Sequence, residues 1–232
     1  MTMTADLSEL KRQASFKAVE FIKDGMVVGL GTGSTATFAI TALGEKVAQG
    51  LKIEAIATSE RSAQLAERSG ITLTDFAHRQ QIDLTIDGAD EVELGTLNLI
   101  KGLGGALFRE KLVASASKRL IIVVDETKLV KSLGKRTAVP VEVVPFGWQL
   151  TSKRLKDLGA EPELRLTEGK KPYITDNSNY ILDCRFGAIS DSDGLADQIS
   201  RTIGVVESGL FIKMTSLVIA GKSTGIEILR RP

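Results

Sequence analysis

Short apolar runs alternate with helix-like segments along the first half of the chain, and this alternation constrains the fold more than any other feature. Each run is long enough for one strand, and each segment between runs repeats its apolar residues every three or four positions. The predicted strands are residues 26–30, 53–57, 82–86 and 120–124, and the predicted helices are residues 35–47, 60–68 and 106–116. Strands that alternate with helices form a parallel sheet covered on both faces, so the sequence predicts an α/β, Rossmann-like domain.

The pattern changes near residue 134. A strand at 141–144 is predicted between Pro140 and Pro145, followed by a helix at 148–158, strands at 163–166 and 180–184, a helix at 195–203 and a strand from residue 205. This β-α-β-β-α-β order is that of ferredoxin-like domains. We therefore expect a Rossmann-like domain of residues 1–134 plus 208–232, which includes a strand at 217–220, and a second, smaller ferredoxin-like α+β domain of residues 135–207.

Composition and charge exclude several classes of binding site and of catalysis. The 232-residue chain has 30 basic and 29 acidic residues, so no overall field favours nucleic acid or an anionic membrane as a partner. Cys184 and His78 are the only cysteine and histidine, too few for a Cys/His zinc site. Neither has a plausible chemical partner in the sequence, and we expect His78 at the surface before the third strand and Cys184 half-buried in a strand. No apolar run reaches the roughly 18 residues of a membrane span, and residues 2–9 do not resemble a signal peptide. We expect a cytoplasmic protein in which Asp, Glu or Lys side chains carry out proton transfer.

Residues 29–36, Gly-Leu-Gly-Thr-Gly-Ser-Thr-Ala, follow a predicted strand and open a predicted helix. Amides and hydroxyls at such a helix N-terminus can cradle a phosphate, and the Ser and Thr content favours a small phosphoester. Two other interpretations stay open. The segment could be a tight turn with Ser34 as the helix N-cap. It could also be a dinucleotide site, because residues 31–36 fit G-x-G-x-x-A and Glu60 could bind a ribose.

Two further polar loops are candidates. Asp87, Asp90 and Glu91 place three carboxylates within five residues at the end of a buried strand. A functional site, a solvated turn and a divalent metal loop all fit that spacing. The loop 101–105, Lys-Gly-Leu-Gly-Gly, leads into a helix with one cation among exposed amides. It could hold an oxyanion or enolate, or it could be a flexible connector with a solvated Lys101.

Glu110 interrupts an apolar face of the predicted helix 106–116, since its neighbours at three and four positions are Ala106, Leu107, Val113 and Ala114. A second apolar face, with Leu112, suggests a helix buried on two sides. A carboxylate on such a helix is desolvated, which raises its proton affinity and suits a general base. The alternative is that residues 109–111, Arg-Glu-Lys, form a solvated charged run.

Four motifs in order resemble the type A ribose-5-phosphate isomerases. They are residues 31–35 (GTGST), 87–91 (DGADE), 101–111 (KGLGGALFREK) and 175–177 (TDN). The resemblance extends from about residue 10 to about residue 228. It implies a Rossmann-like domain with a smaller α+β domain, and an aldose–ketose isomerase that needs no cofactor and no metal. It also implies a homodimer acting on a sugar phosphate in the non-oxidative branch of the pentose phosphate pathway.

The resemblance also implies roles for individual residues. Glu110 matches the catalytic base, and Asp87, Asp90 and Lys101 match the groups that handle ring opening and the enediolate. The positions matching substrate contacts are Thr32, Gly33, Ser34, Thr35, Asp87, Gly88, Ala89, Asp90, Lys101, Gly102, Leu103, Gly104 and Lys128. Leu103 stands where many members of the family have glycine, so a role that needs a positive φ there is in question.

The leading hypothesis is therefore the interconversion of D-ribose 5-phosphate and D-ribulose 5-phosphate through an enediolate. An alternative is a non-catalytic sugar-phosphate-sensing domain of related fold, which predicts an attached DNA-binding segment. A nicotinamide-dependent dehydrogenase is a third possibility, because residues 31–36 fit a dinucleotide-binding pattern. That function would leave four candidate residues without a role, namely Asp87, Asp90, Lys101 and Glu110.

Overall fold

The structure is a computed structural model that describes residues 6–231. The chain forms two compact units. The first contains residues 6–89, 109–129 and 214–231, and the second contains residues 90–108 and 130–213. The sequence predicted the domain boundaries after residues 134 and 207. Residues 1–5 and 232 of the predicted first domain lie outside the described residues. The observed second unit also holds residues 90–108, 130–134 and 208–213, which the sequence assigned to the first domain.

The helices and strands are bounded as follows. The α-helices of the described chain are α1 (Leu7–Val19), α2 (Ser34–Ala48), α3 (Glu60–Arg68), α4 (Leu107–Ser115), α5 (Trp148–Asp157) and α6 (Ser192–Ser200), with a short 3-10 helix at Glu126–Lys128. The strands are β1 (Val27–Leu30), β2 (Glu54–Ala57), β3 (Thr72–Leu73), β4 (Leu84–Asp87), β5 (Glu91–Glu93), β6 (Leu99–Ile100), β7 (Leu120–Asp125), β8 (Leu129–Val130), β9 (Val139–Val143), β10 (Glu161–Leu164), β11 (Tyr180–Arg185), β12 (Val205–Ser208), β13 (Leu210–Phe211), β14 (Leu217–Lys222) and β15 (Gly225–Arg230). No helix in residues 6–231 is long and apolar enough to cross a membrane.

The first unit contains a seven-stranded sheet of order β15-β14-β7-β4-β1-β2-β3. All neighbouring pairs are parallel except β14 and β15, which form an antiparallel hairpin. From β1 the chain runs outward in one direction to β2 and β3, and then returns to β4 on the other side of β1. The sheet thus has its topological switch point between β1 and β4, where α/β proteins bind ligands beyond the strand ends.

Continuous apolar runs explain why these strands form. Every residue of β1, β4 and β7 is buried, as expected for parallel strands covered on both faces. One face of the sheet packs against α1 and α2 through residues such as Ala18, Ile40 and Leu43. On the other face Val113 of α4 packs with Ile56 and neighbouring residues. The predicted parallel sheet and its covering helices are confirmed.

The second unit contains β9, α5, β10, β11, α6 and β12 in chain order. Its four strands form an antiparallel sheet of order β10-β11-β9-β12, the topology of a ferredoxin-like fold. Leu155 of α5 and Ile199 of α6 pack on Val141 and Leu182 of this sheet. The predicted fold class, a Rossmann-like domain with a smaller ferredoxin-like α+β domain, is confirmed.

Several local predictions need correction. The helix predicted at 195–203 is α6, which begins at Ser192 because the Asp191 carboxylate accepts the Gly194 N–H at 2.9 Å. The strand predicted at 163–166 is β10, Glu161–Leu164. The hairpin strand β15 and the short sheet β13-β6-β5-β8 were not predicted.

Candidate active site

The turn after β1 and the end of β4 meet at the switch point. Gly31 lies so close to β4 that a Cβ placed on it would be 2.0 Å from Oδ1 of Asp87. The same oxygen accepts the N–H of Thr32 at 3.1 Å and the N–H of Gly88 at 2.7 Å. Asp87 is only 1% exposed. The carboxylate therefore has a fixed orientation, and only glycine fits at position 31.

The hydroxyl of Thr32 is engaged inside the protein. It lies 2.7 Å from Oγ1 of Thr58 and donates to Oγ of Ser59 at 2.8 Å. Thr58 and Ser62 in turn donate to the carbonyl oxygens of Leu30 and Gly31. This network fixes the shape of the loop, and it uses both the hydroxyl and the amide of Thr32.

The next residues form the N-terminus of α2. Gly33 is the N-cap, with φ of 107°, and Ser34 is the first helical residue, so the proposed turn with Ser34 as N-cap is wrong. No side chain caps this end of α2. Thr35 is buried and Ser34 is exposed. The first amides of the 15-residue helix and the positive end of its dipole are thus available to an anion.

Lys11 was missed by the sequence analysis. Its Nζ lies 3.4 Å from Oγ of Ser34 and 3.8 Å from Oδ2 of Asp125. The residue belongs to α1, and packing of α1 against α2 brings it to the loop, as the bond from Ser15 Oγ to the Thr35 carbonyl shows. No local pattern could reveal this cation, because 23 residues separate it from Ser34.

Lys128 lies in the 3-10 helix Glu126–Lys128, directly after β7, which neighbours β4 in the sheet. Asp125 caps this short helix by accepting the Thr127 N–H at 3.0 Å. Lys128 is partly exposed. A second cation thus follows a strand next to the one that carries Asp87.

Glu110 lies in the first turn of α4 and is 3% exposed. It shares a helical face with Val113, three residues on, which packs so closely on β1 that a Cβ on Gly29 would be 2.7 Å from Val113 Cγ1. The solvated-run alternative for residues 109–111 is therefore wrong for Glu110. The prediction that the helix is buried on two sides is also wrong, because Leu112 on the second apolar face is 45% exposed.

The second unit holds Asp90 and the loop that follows β6. The N–H of Leu103 donates to Oδ2 of Asp90 at 3.0 Å. Lys101 is 2% exposed, and its Nζ lies 5.5 Å from the centre of the Phe211 ring, a cation–π distance. Lys101 is thus held in place and buried, which rules out the flexible connector with a solvated lysine.

The glycines of this loop are not equivalent. Gly102 and Gly105 have φ of 108° and 83°, values that favour glycine, whereas the φ of Leu103 lies outside that range. Leucine is therefore accommodated at position 103 without backbone strain. The side chain of Leu103 is half exposed, and Gly104, which has no side chain, is exposed as well.

Glu91 has a structural role. Its carboxylate accepts the backbone N–H groups of Gly134, Arg136 and Thr137 at 2.7, 3.0 and 2.8 Å. Backbone N–H groups therefore bind one of the three carboxylates in residues 87–91, which explains its burial without a metal ion. Within residues 6–231 no group of three potential ligands could hold a metal ion.

The structure brings the predicted residues together in two sets. In the first unit Thr32, Gly33, Ser34, Thr35, Asp87 and Gly88 surround the β1 turn, with Gly88 packed near Thr35 and with Ala89 next in the chain. In the second unit Asp90 binds the loop formed by Lys101, Gly102, Leu103 and Gly104.

The lone histidine and cysteine lie elsewhere. The side chain of His78 is 75% exposed, as predicted, beside Asp75. Cys184 was expected to be half-buried but is fully buried in β11, where burial, together with the Asp183 charge, raises the pKa of its thiol to about 12. The thiol is therefore protonated near neutral pH and unsuited to act as a nucleophile.

Comparison with known proteins agrees with this architecture. A family model described as ribose 5-phosphate isomerase A (phosphoriboisomerase A) matches residues 54–225. The ribose-5-phosphate isomerase A of Gloeobacter violaceus is 58% identical over 224 residues, which cover 97% of each chain. A solved D-ribose-5-phosphate isomerase in complex with phospho-erythronic acid has a TM-score of 0.94 and 38% identity over 97% of this chain and 100% of that one. The ribose 5-phosphate isomerase A structure from Methanocaldococcus jannaschii has a TM-score of 0.93 and 39% identity, with the same coverage.

These matches define the protein as an isomerase built on a two-unit α/β fold. The chain belongs to the ribose 5-phosphate isomerase A family. The resemblance drawn from the four motifs is confirmed, and the matches do not support the dehydrogenase interpretation of residues 31–36.

Proposed function

We propose that this isomerase interconverts D-ribose 5-phosphate and D-ribulose 5-phosphate by moving a proton between C2 and C1 through an enediolate, with Glu110 as the base. The observation that carries the proposal is the burial of the Glu110 carboxylate, 3% exposed, on the face of α4 that packs against β1. A carboxylate with so little water around it is a stronger base than a solvated one.

The phosphate of the substrate would bind at the N-terminus of α2. The amides of Ser34 and Thr35 open a long helix without a side-chain cap, and Lys11 lies 3.4 Å from Oγ of Ser34. Lys128 supplies a further positive charge after β7. Helix amides together with lysine ammonium groups are a common phosphate site.

The remaining groups would act on the sugar. The fixed carboxylate of Asp87 and that of Asp90 would assist ring opening by exchanging protons with the ring oxygen and the hydroxyl at C1. The negative charge that develops on the carbonyl oxygen would be stabilised by the buried ammonium of Lys101 and by amides of residues 102–104. Donors arranged in advance around such an oxygen accelerate reactions by about 10²-fold or more each. One proton moves from C2 to C1 and a second moves from the hydroxyl on C2 to the oxygen on C1, so the substrate gains and loses no electrons overall.

The test is incubation with ribose 5-phosphate in D₂O containing EDTA, followed by ¹H NMR. We expect ketose formation with deuterium at C1, because a carboxylate base exchanges its proton with solvent. Glu110→Gln should lower kcat by about 10³-fold or more and change KM by less than about threefold. Glu142→Gln removes an equally buried carboxylate outside the site and should retain kcat within about threefold.

Two outcomes would contradict the proposal. If folded wild-type protein binds ribose 5-phosphate without turnover, the non-catalytic sugar-phosphate-sensing function is favoured instead. If Glu110→Gln turns over at nearly the wild-type rate, Glu110 is not the base.

We further propose that the protein acts as a cytoplasmic homodimer in the non-oxidative branch of the pentose phosphate pathway and binds no nucleic acid. The family resemblance supports the dimer and the pathway, and the net charge of +1 supports the lack of nucleic-acid binding. Light scattering should give twice the chain mass of 24.9 kDa, and a monomer mass would contradict the dimer.

A further inference from the structure

Arg165, just after β10, holds the loop that follows Lys101. Its Nη1 donates to the carbonyl oxygens of Gly102 and Leu103 at 2.9 and 3.1 Å. Its Nε donates to Oδ2 of Asp183 at 2.9 Å, and Nη2 pairs with the other oxygen of the same carboxylate. The side chain is only 12% exposed. One guanidinium thus joins a carboxylate on β11 to two consecutive peptide groups of the loop.

This arrangement fixes the direction of the loop amides. In a trans peptide the C=O and N–H groups point in opposite directions. Two carbonyl oxygens converge on one nitrogen of Arg165, so the N–H groups of the same peptides, those of Leu103 and Gly104, point away from it. The Leu103 N–H confirms the direction, because it donates to Asp90.

We propose that Arg165 is a positioning residue for the isomerisation, which aims the amide of Gly104 and the carboxylate of Asp90 at the oxygen atoms of the enediolate. This inference rests on the proposed function. Gly104 is exposed, so its amide is open to a ligand on the side opposite Arg165. A cation bound to a carbonyl oxygen also polarises the peptide, which strengthens the N–H on its far side as a donor.

The surroundings favour arginine specifically. The guanidinium lies 5.9 Å from the centre of the Tyr173 ring, and Tyr173 packs so tightly under the loop that a Cβ on Gly105 would be 2.2 Å from its Oη. Lysine could approach either Asp183 or the carbonyl oxygens, but a single ammonium cannot fork between a carboxylate and two carbonyl oxygens in this way. We therefore expect Arg165→Lys to keep the charge and lose the orientation.

A merely structural Arg165 would tie Asp183 of β11 to the chain after β10 and would affect stability alone. A structural role and a positioning role predict different kinetics for an Arg165 variant. Loss of orientation weakens an interaction made in the transition state, so kcat falls while KM changes little. It should also weaken binding of phospho-erythronic acid, which a solved relative binds and whose carboxylate resembles the charged enediolate.

The experiment measures kcat, KM, the melting temperature and the inhibition constant of phospho-erythronic acid for Arg165→Lys. We expect kcat to fall about 10- to 100-fold, KM to change less than about threefold, and the inhibition constant to rise about as much as kcat/KM falls. The control is Arg201→Lys, which alters an exposed Arg–Asp pair in the same unit and should leave all four values near those of the wild type.

A second variant keeps the test decisive if Arg165→Lys does not fold. Asp183→Asn loosens Arg165 without removing it and should give a smaller fall in kcat with the same unchanged KM. A normal kcat in the folded variants, or a rise in KM alone, would overturn the inference. If the wild type itself has no isomerase activity, the proposed function fails, an outcome distinct from active wild type with unaffected variants.

Discussion

Gly31→Ala tests the contact between the β1 turn and β4 that fixes Asp87. The added Cβ would lie 2.0 Å from Oδ1 and 2.6 Å from Cα of Asp87. Both distances are far below any normal carbon contact, and the second involves backbone that cannot rotate away. Either β1 and β4 separate, or the Asp87 carboxylate moves and loses the Thr32 N–H.

The cost follows from these contacts. Inserting a methyl group into a filled space costs about 1–3 kcal/mol. The lost hydrogen bond adds about 1 kcal/mol, and the lower chain entropy of alanine in the unfolded state offsets about 0.5–1 kcal/mol. The expected loss is about 1–3.5 kcal/mol, which for a chain of this size lowers the melting temperature by about 3–10 °C. A displacement of about 1 Å in the Asp87 carboxylate should also lower kcat by about 10²-fold.

Gly88→Ala is the matched control for stability. It lies directly after Asp87, but the nearest atom to its Cβ would be Cβ of Thr35 at 3.8 Å, an ordinary contact. Its melting temperature should stay within about 2 °C of the wild type. Calorimetry of both variants, with kcat for Gly31→Ala, is the assay. Equal melting temperatures for the two variants, or normal kcat in Gly31→Ala, would refute the argument that this close approach positions Asp87.

Three further predictions concern Cys184, Asp83 and Glu142. Since the pKa of the Cys184 thiol is raised to about 12, only about 10⁻⁴ of it is thiolate at pH 8; native protein should resist a thiol reagent that labels unfolded protein, and fast native labelling would contradict its burial. Hydrogen bonds from Lys118 and then from the Val27 N–H lower the pKa of Asp83 below 3.8, so the stability it contributes is present above about pH 4 and is lost as pH falls through the folded value. Asp83→Asn should therefore be about 1 kcal/mol less stable than wild type at pH 7, and this deficit should disappear as pH falls through the folded value. A deficit independent of pH would exclude this cause. Glu142→Ala should lose about 2–4 kcal/mol in urea unfolding because three donors, the buried Thr175 and the half-buried Asn177 and Asn179, lose their shared acceptor. Glu142→Gln retains an acceptor and should lose much less, and equal losses would show that packing alone matters.

The fold was predictable where one physical signal dominated. Continuous apolar runs gave β1, β4 and β7 because a strand covered on both faces has no polar positions. The strands β5, β6 and β13 were missed because each is two or three residues long, too short for any period. The strand β15 was missed because its residues are largely exposed, so it contains no continuous apolar run.

The candidate site was predictable where chemistry and sequence position coincide. Asp87 follows a strand and Glu110 interrupts an apolar face, so both could be proposed from local pattern. Lys11 and Arg165 could not, because their importance depends on contacts with residues 23 and 63 positions away. The motif at 175–177 was found, but its link to the buried Glu142, 33 residues earlier, needed the structure.

The chain crosses between its two units four times, after residues 89, 108, 129 and 213. Neither unit is a continuous stretch of sequence, so no simple truncation isolates one of them. A fragment ending at residue 129 would expose the edge of β7 that β14 covers, and a fragment of residues 130–213 would lack β5 and β6. Engineers who wish to exchange the smaller unit must therefore graft two inserts at once. A nascent chain cannot complete the large sheet until β14 and β15 have been synthesised.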